Sequence, residues 1–223
     1  MSYARFAVYF VPPPGALADF GAAWLGWDVA RGEAARQPDV PGLAEITSAP
    51  RKYGFHGTLK PPFRLAGGRN AAGLAAAAGA LAEATVPARC AGLGLARIGR
   101  FLALTPLGDG AEISRLAASL VAGLDAFRAP PGPDELARRR SVGLTAGQEA
   151  LLARWGYPYV MEEFRFHLTL TGPLPETGLS HWEDILRARL PPLPAPFIVD
   201  EVALVGERAD GRFDLLHRYA LTG

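Results

Sequence analysis

The chain is poor in cysteine and lysine, with only Cys90, Lys52 and Lys60 among 223 residues. A single cysteine excludes an internal disulfide and a zinc cluster of several thiolates, and Cys90 is expected to be a buried apolar side chain. The formal net charge is only +1, whereas proteins that bind long nucleic acids usually carry a basic excess. A small phosphorylated ligand needs only a local positive pocket, so the low net charge does not exclude a ligand of this kind.

Long apolar runs are also scarce. The alanine-rich segment 71–84 is interrupted by Gly73, Gly79 and Glu83, and residues 1–11 lack the basic region and apolar run of a signal peptide. Hydrophobic residues nevertheless make up 49% of the chain, which is enough for a core. We therefore expect a cytoplasmic protein without membrane partners. The oligomeric state stays open, and a monomer fits the sequence.

Residue periodicity predicts a mixture of strands and helices. Strands are predicted at 5–11, 55–65, 88–98, 101–106, 164–171, 197–207 and 212–221. Helices are predicted at 15–25, 70–84, 112–127, 134–140, 145–155 and 180–190. Asn70 is a candidate N-cap, residues 26–50 are predicted to be a loop, and the sequence Ala-Asp-Gly at 209–211 predicts a hairpin turn.

One short motif occurs twice. The sequence FHGTLKPP at 55–62 aligns without gaps with FHLTLTGP at 166–173. Each copy is followed by a predicted helix and then by two predicted strands, at 88–106 and 197–221. This order predicts a duplicated, bilobal α+β fold in which two antiparallel sheets form a concave central cleft flanked by helices. Lobe 1 covers about 1–127, a helical insert about 128–163, and lobe 2 about 164–223.

The chemistry of the motifs follows from strand geometry, because residues two apart share a face. Each motif strand presents a histidine, a hydroxyl and a cation on one face: His56, Thr58 and Lys60 in the first copy, and His167, Thr169 and Arg165 in the second. If the lobes are pseudo-symmetric, these two polar faces meet across the cleft. Tyr53, just before the first motif, is placed at the cleft rim, with a core position as the alternative.

This combination of side chains suits a phosphodiester. Hydroxyls and cations hold the non-bridging oxygens and stabilise the charge that grows in the transition state. One neutral imidazole can take a proton from water while the other, protonated, gives one to the leaving oxygen. We therefore predict that His56 and His167 are catalytic, and that the substrate phosphate is bound by Thr58, Thr169, Lys60 and Arg165.

Paired H-x-T-hydrophobic motifs in a duplicated α+β chain resemble the 2H phosphoesterase superfamily, which includes RNA 2′,5′-ligase-like proteins and cyclic nucleotide phosphodiesterases. The segments RKYGFHGTLKPPF (51–63), FRFHLTLTG (164–172), AVYFVP (7–12) and LLARWGYP (151–158) resemble one branch, often encoded beside phosphonate-utilisation genes. The resemblance implies a bilobal fold, no metal or cofactor, and action on 2′-linked or cyclic phosphates. It also implies catalytic roles for His56 and His167, and phosphate binding by Thr58 and Thr169.

Other residues have competing interpretations. The run Arg138-Arg139-Arg140 is either a phosphate-binding patch or a solvated helix face, and the second is favoured. The tryptophans are expected in the core or between the lobes, although Trp155 or Tyr157 of the insert could cap the cleft. His181 is expected to be exposed, and His217 to pack or to face solvent.

Motifs of rival chemistries are missing from the sequence. It contains no G-x-S-x-G, G-x-x-x-x-G-K-[ST], G-x-G-x-x-G or H-E-x-x-H, and the first histidine motif has no nearby carboxylate to share a zinc ion. We therefore predict a metal-independent phosphoesterase that hydrolyses a cyclic or 2′-linked phosphodiester of a ribose or nucleotide. The alternatives are a non-catalytic protein that binds a phosphorylated metabolite, and an RNA 2′,5′-ligase or RNA end-processing enzyme, which the near-neutral charge disfavours.

Overall fold

Nine strands and eight α-helices lie along residues 3–223, which the computed structural model describes; residues 1 and 2 lie outside them. The strands are β1 Phe6–Phe10, β2 Gly57–Phe63, β3 Ala88–Cys90, β4 Gly92–Ile98, β5 Phe101–Leu107, β6 Leu168–Thr169, β7 Phe197–Val199, β8 Glu201–Glu207 and β9 Phe213–Ala220. The α-helices are α1 Ala16–Leu25, α2 Leu43–Ile46, α3 Ser48–Arg51, α4 Ala71–Glu83, α5 Ala111–Gly123, α6 Pro133–Arg140, α7 Ala146–Trp155 and α8 Glu176–Arg189. Single 3-10 turns lie at Asp125–Phe127 and Met161–Glu163.

Seven of the strands form one sheet in the order β4-β5-β6-β2-β1-β8-β9, and β3 pairs with β7 in a second, two-stranded sheet. Every recorded pairing is antiparallel. The predicted α+β class with two antiparallel sheets is thus confirmed. The two sheets are unequal in size, however, and the large one combines strands from both halves of the chain.

The two motif strands lie side by side at the middle of the large sheet, as β2 and β6. The repeat had predicted them on opposite sides of a cleft. On the side away from β2, β6 pairs with β5, a strand from the first half of the chain. On the side away from β6, β2 pairs with the N-terminal strand β1, which in turn pairs with β8 from the second half. The division into lobes and an insert stays a prediction, since the sheet is continuous across it.

Two predicted strands are each interrupted at an equivalent place. The strand predicted at 88–98 divides at Ala91 into β3 and β4, and the strand predicted at 197–207 divides at Asp200 into β7 and β8. The short pieces β3 and β7 then pair with each other in the second sheet. The same break in both copies supports the internal repeat inferred from the motifs.

Alternating side chains give the large sheet two different faces. One face packs on helices α4, α5 and α8 through the main core, which includes Leu59, Leu104 and Leu168. The other face carries a smaller buried cluster at the β1-β8-β9 side of the sheet, which includes Tyr9, Trp27 and Phe213. Cys90 is buried, as expected.

The segment 128–163 packs on the end of α5. Leu151 of α7 and Val160 join Val121 of α5 in a third buried cluster. A capping box formed by Thr145 and Gln148 begins α7, and Gly156, in the left-handed conformation, ends it. The insert is therefore held in one place by apolar burial and by well-formed helix ends.

Local differences from the predicted elements are small. Residues 26–50 contain the one-turn helices α2 and α3, and only Leu168–Thr169 of the strand predicted at 164–171 forms a ladder. Thr171 is buried, and its hydroxyl oxygen accepts a hydrogen bond from the Leu102 amide. This side-chain bond stands where a strand ladder would have a backbone hydrogen bond. Asn70 caps α4, as predicted, by accepting from the Gly73 amide. Among residues 3–223, no helix has both the length and the apolarity that a membrane crossing requires.

Candidate active site

The register between the two motif strands brings both motifs together. Gly57 of β2 lies opposite Leu168 of β6, so in an antiparallel pair each motif histidine lies opposite the other motif's threonine. Both paired residues face the main core, and the four flanking side chains therefore share the other face. Opposite Cβ atoms are about 5 Å apart and diagonal ones about 7–8 Å, so one phosphate can reach both imidazoles. We call this group the motif quartet: His56, Thr58, His167 and Thr169.

Both histidines of the quartet are held in the same way. Nδ1 of His56 lies 2.9 Å from the Gly54 carbonyl oxygen, and Nδ1 of His167 lies 2.8 Å from the Arg165 carbonyl oxygen. A carbonyl oxygen only accepts, so each Nδ1 carries a hydrogen and donates it. In the neutral rings each Nε2 is therefore a proton acceptor.

Gly54 is the residue that aims the first of these carbonyls. Its φ of 71° lies in the left-handed region that favours glycine. A Cβ at this position would also lie 2.6 Å from Cβ of Val29. A side chain at residue 54 is thus disfavoured twice, and the local turn that orients His56 depends on glycine.

The surroundings of His56 keep it neutral. Burial lowers its pKa from 6.5 to about 4, the hydrogen bond to the Gly54 carbonyl opposes this change, and the neighbouring His167 lowers the pKa further. The Thr58 hydroxyl lies 3.0 Å from Nε2 of His56 and donates to it in this state. At neutral pH the first histidine is therefore equipped to accept a proton.

Tyr9 is a site residue that sequence reasoning missed. Its ring is 0% exposed and stacks on His56, with the ring centroids 3.8 Å apart. Tyr9 pairs with Thr58 across β1 and β2, so it shares the face of the quartet. Its alternation with Ala7 and Val11 indicates only a core strand, and its link to the site depends on which strand lies beside β2.

Aromatic side chains lie on two sides of the quartet. The Tyr53 ring lies 6.1 Å from His56 and 5.4 Å from Phe213 between centroids, and it is partly buried. On the other side, the Phe101 ring lies 5.7 Å from His167. Tyr53 therefore lies near His56, and its place at a cleft rim stays a prediction; Phe101 is a further neighbour that the motifs did not indicate.

Lys60 is not at the site, and its predicted place beside the quartet is wrong. Val8 pairs with Lys60 and Tyr9 pairs with Thr58, so a β-bulge breaks the two-residue alternation of β2. Lys60 is 2% exposed, and its ammonium donates to the Val121 carbonyl near the end of α5, 2.9 Å away. A cation at a helix C-terminus is favourable, which explains its burial there.

Arg165 lies just before β6, and its contact with the substrate phosphate stays a prediction. Its side chain is exposed and lines a groove with Thr105 and Phe166 beside the second motif strand. Its own carbonyl holds His167. Arg165 therefore stays a candidate for contacting the substrate at the His167 side of the quartet.

The remaining histidines lie apart from the quartet. His181 on α8 and His217 on β9 are exposed, and their aromatic neighbours are Trp182 and Tyr219. Among residues 3–223, no group of three or more His, Cys, Asp or Glu side chains is placed to hold a metal ion.

Residues 58–214 match the model of a family described as "Protein of unknown function (DUF1045)". The chain belongs to this family. The match begins at Thr58, inside the first motif, and includes the whole second motif. His56, at the start of the site, lies just before the matched residues.

Two curated relatives of this DUF1045 chain carry the name ribose 1,5-bisphosphate phosphokinase PhnN. The protein from Janthinobacterium sp. (strain Marseille) is 42% identical over 179 residues, which are 78% of this chain and 40% of that protein. The protein from Laribacter hongkongensis (strain HLHK9) is 37% identical over 185 residues, 80% of this chain and 42% of that protein. The chain thus spans about two-fifths of the length of these relatives.

Solved structures similar to the chain include E. coli LigT complexed with NADP⁺, at 17% identity and a TM-score of 0.49, with all of both chains covered. The protein TT0787 of Thermus thermophilus is 21% identical with a TM-score of 0.46 over 98% of both chains. A further neighbour, titled only as a phosphoesterase, is 16% identical with a TM-score of 0.44 over all of both chains.

Proposed function

We propose that this chain is a metal-independent phosphoesterase that hydrolyses a cyclic or 2′-linked phosphodiester of a ribose or nucleotide. The observation that carries the proposal is the motif quartet, in which two imidazoles on adjacent strands have Nδ1 held by a backbone carbonyl. Two histidines held in this way beside two hydroxyls are suited to acid–base catalysis at one phosphorus atom.

The proposed roles of the histidines follow from their environments. His56 is kept neutral by burial, so its Nε2 takes a proton from the attacking water. His167 acts as the general acid and gives the proton on its Nε2 to the leaving oxygen. The water oxygen forms a bond to phosphorus as the bond to the leaving oxygen breaks. After turnover His56 holds a proton and His167 lacks one, and exchange with solvent restores both.

The threonines bind the phosphoryl group in this proposal. In the free protein the Thr58 hydroxyl donates to Nε2 of His56. When substrate enters, this hydroxyl rotates to a non-bridging oxygen, and Nε2 becomes free for the water. The Thr169 hydroxyl acts in the same way from the other strand, so charge growing on the phosphoryl oxygens meets two donors.

The names of the relatives support a phosphorylated ribose as the type of substrate, and the PhnN name supports a role in phosphonate metabolism. We do not propose the phosphokinase activity itself for this chain, because its sequence lacks the G-x-x-x-x-G-K-[ST] loop that cradles nucleotide phosphates. Hydrolysis at the quartet needs no nucleotide.

The test is a hydrolysis screen over nucleoside 2′,3′-cyclic phosphates, ribose cyclic phosphates and 2′,5′-linked dinucleotides, with phosphatase added so that monoester products release phosphate. We expect turnover by the wild type that survives a chelator. His56→Ala and His167→Ala should each lower the rate of hydrolysis at least about 100-fold. The matched control His181→Ala should retain the wild-type rate. Thermal unfolding of each variant checks the fold.

Two results would count against the proposal. Activity that vanishes with a chelator and returns with zinc excludes the metal-free mechanism. A cyclic phosphate that raises the melting temperature but is not consumed over hours indicates a binding protein without turnover.

A further inference from the structure

The two sides of the motif quartet are covered to different extents. On the β1 side, the residues that share the quartet's face are almost completely buried: Tyr9, Ala203 and Val205 are each at most 1% exposed. Trp27, from the segment after α1, joins them in the same apolar cluster and is 2% exposed. A substrate bound at the quartet therefore cannot extend over β1 without displacing this cluster.

On the β5 side the same face is open. Thr169 of β6 pairs with Ala103 of β5, which pairs with Ala96 of β4, so these residues lie in a row on the quartet's face. Phe101 and Ile98 pair with each other farther along this face and are only partly buried. The small side chains of Ala96 and Ala103 therefore leave room above the sheet between the quartet and the edge strand β4.

A groove lies on this open side, and we call it the Thr105 groove. Its volume is about 460 Å³, within the roughly 300–1,000 Å³ of small-ligand sites. The lining includes Ala96 and Ile98 of β4, Thr105 of β5, and Arg165 and Phe166 just before β6. The groove thus adjoins the quartet at the strand that carries the second histidine.

Thr105 lies where the groove meets the quartet. Continuing the register of β5 and β6 by one residue places Thr105 opposite His167 on the quartet's face. The Leu170 amide donates to the Leu102 carbonyl, and counting from there the pair of Thr105 and His167 has no backbone hydrogen bonds. Side chains approach most closely at pairs of this type. His167 is therefore flanked by two threonines, Thr105 on β5 and Thr58 on β2.

The groove lies where the leaving part of the substrate has to be. In the proposed mechanism His167 gives its proton to the leaving oxygen, so this oxygen lies within hydrogen-bonding distance of Nε2. The atoms attached to the oxygen must then extend over a part of the sheet that is open. The β1 side is filled by the apolar cluster, whereas the groove begins beside Thr105, opposite His167.

The lining of the groove suits a sugar. Ala96 and Ile98 offer apolar contacts to the C–H faces of a sugar ring, and the Thr105 hydroxyl can donate to or accept from a sugar hydroxyl. Arg165 adds exposed donors on the same wall. A leaving alcohol without further hydroxyls would cover the Thr105 hydroxyl without giving it a partner, which is unfavourable.

We infer that the Thr105 groove binds the sugar that carries the leaving oxygen, and that Thr105 is a specificity-determining residue that forms a hydrogen bond with this sugar. The inference rests on the proposed function, since His167 as the acid defines the leaving side. The sugar then lies over β5 and β4, away from Tyr9 and His56.

The test compares two cyclic phosphodiesters, ribose 2′,3′-cyclic phosphate and ethylene phosphate, which has the same phosphate ring but no sugar. We expect the wild type to prefer the ribose probe in kcat/KM by at least about 10-fold, as for one hydrogen bond together with apolar contacts. A wild type without this preference overturns the inference.

Two substitutions locate the preference in the groove. Ala96→Leu fills the groove and should bring the preference close to one, whereas Ala76→Leu, at an exposed position of α4, should keep it. Thr105→Val should reduce the preference by about 2- to 10-fold, mainly through KM, and Thr105→Ser should restore it. A preference that survives Ala96→Leu overturns the groove as the sugar site, and one that survives Thr105→Val overturns the contact of Thr105. Thermal unfolding of each variant checks the fold.

A binding measurement separates this inference from the proposed function. If neither probe is turned over, calorimetry on the wild type and on Ala96→Leu compares the affinities of the same two probes. Tighter binding of the ribose probe that Ala96→Leu removes supports the groove, and only the proposed function then fails. Equal binding of both probes, or no binding, overturns the groove.

Discussion

The ring of Tyr9 stacks on the imidazole of His56, with the centroids 3.8 Å apart and an angle of 25° between the planes. Tyr9 is buried in β1, and His56 immediately precedes β2. The stack therefore joins the apolar cluster that contains Tyr9 to the motif quartet on the same face of the sheet. One face of the imidazole is therefore shielded from water by a side chain that is itself fixed. This shielding is part of the burial that lowers the His56 pKa.

Replacing Tyr9 should change that pKa. Tyr9→Leu removes the stack and admits water, so we expect the His56 pKa to rise from about 4 towards 6.5 and the free energy of unfolding to fall by about 2 kcal/mol. Tyr9→Phe retains the ring and should keep the low pKa. NMR titration of the imidazole protons measures this, and an unchanged His56 pKa in Tyr9→Leu would show that the stack is irrelevant to it.

The pH dependence of catalysis follows from the same pKa. Because His56 must be neutral to accept a proton, we expect the acid limb of kcat/KM near pH 4 rather than near 6.5. Activity should therefore persist at pH 5 to 6. A pH–rate profile on the best substrate of the screen checks this, and a limb at 6.5 would contradict the role of His56 as the base.

Stability should also depend on His56 in acid. The unfolded chain binds a proton at this histidine as pH falls through 6.5, whereas the folded chain does so only near 4. Stability contributed by the neutral imidazole is thus complete above 6.5 and is lost between 6.5 and 4. Wild type should lose more stability than His56→Gln over this window in urea unfolding, and parallel curves would exclude the effect.

Lys60 is predicted to matter for stability but not for catalysis. Burial lowers its pKa from 10.5 to about 8, so the unfolded state binds more protons between these values. The stability of wild type relative to Lys60→Met should therefore rise as pH increases from 8 to 10.5. Unfolding in urea at several pH values measures this. Turnover by Lys60→Met should stay within about twofold of wild type, since a residue that contacted phosphate would cost far more.

Gly54→Ala should impair both fold and catalysis. Strain at φ 71° and the contact with Val29 predict a loss of about 1–3 kcal/mol in the free energy of unfolding. Movement of the Gly54 carbonyl would also release His56, so kcat should fall. Gly143→Ala is the matched control, because Gly143 has φ 75° and open space around it. It should share the strain but keep kcat, and equal kcat values in both variants would refute the carbonyl's role.

Much of the fold could be predicted because it depends on neighbouring residues. The Asn70 cap and the turn at 209–211 are decided within a few positions, and both are seen as predicted. The two histidine motifs were visible for the same reason, since a repeated pattern folds into repeated local geometry. Each motif histidine accordingly donates to the carbonyl two residues before it.

The amino-acid sequence by itself therefore determined the α+β class, the paired motifs and the identity of the two candidate catalytic histidines. Only the tertiary structure decided that the motif strands are neighbours, that a β-bulge against β1 turns Lys60 towards α5, and that Tyr9 covers His56. These features depend on pairing between strands and helices far apart in the chain, which packing energy selects and local periodicity does not encode.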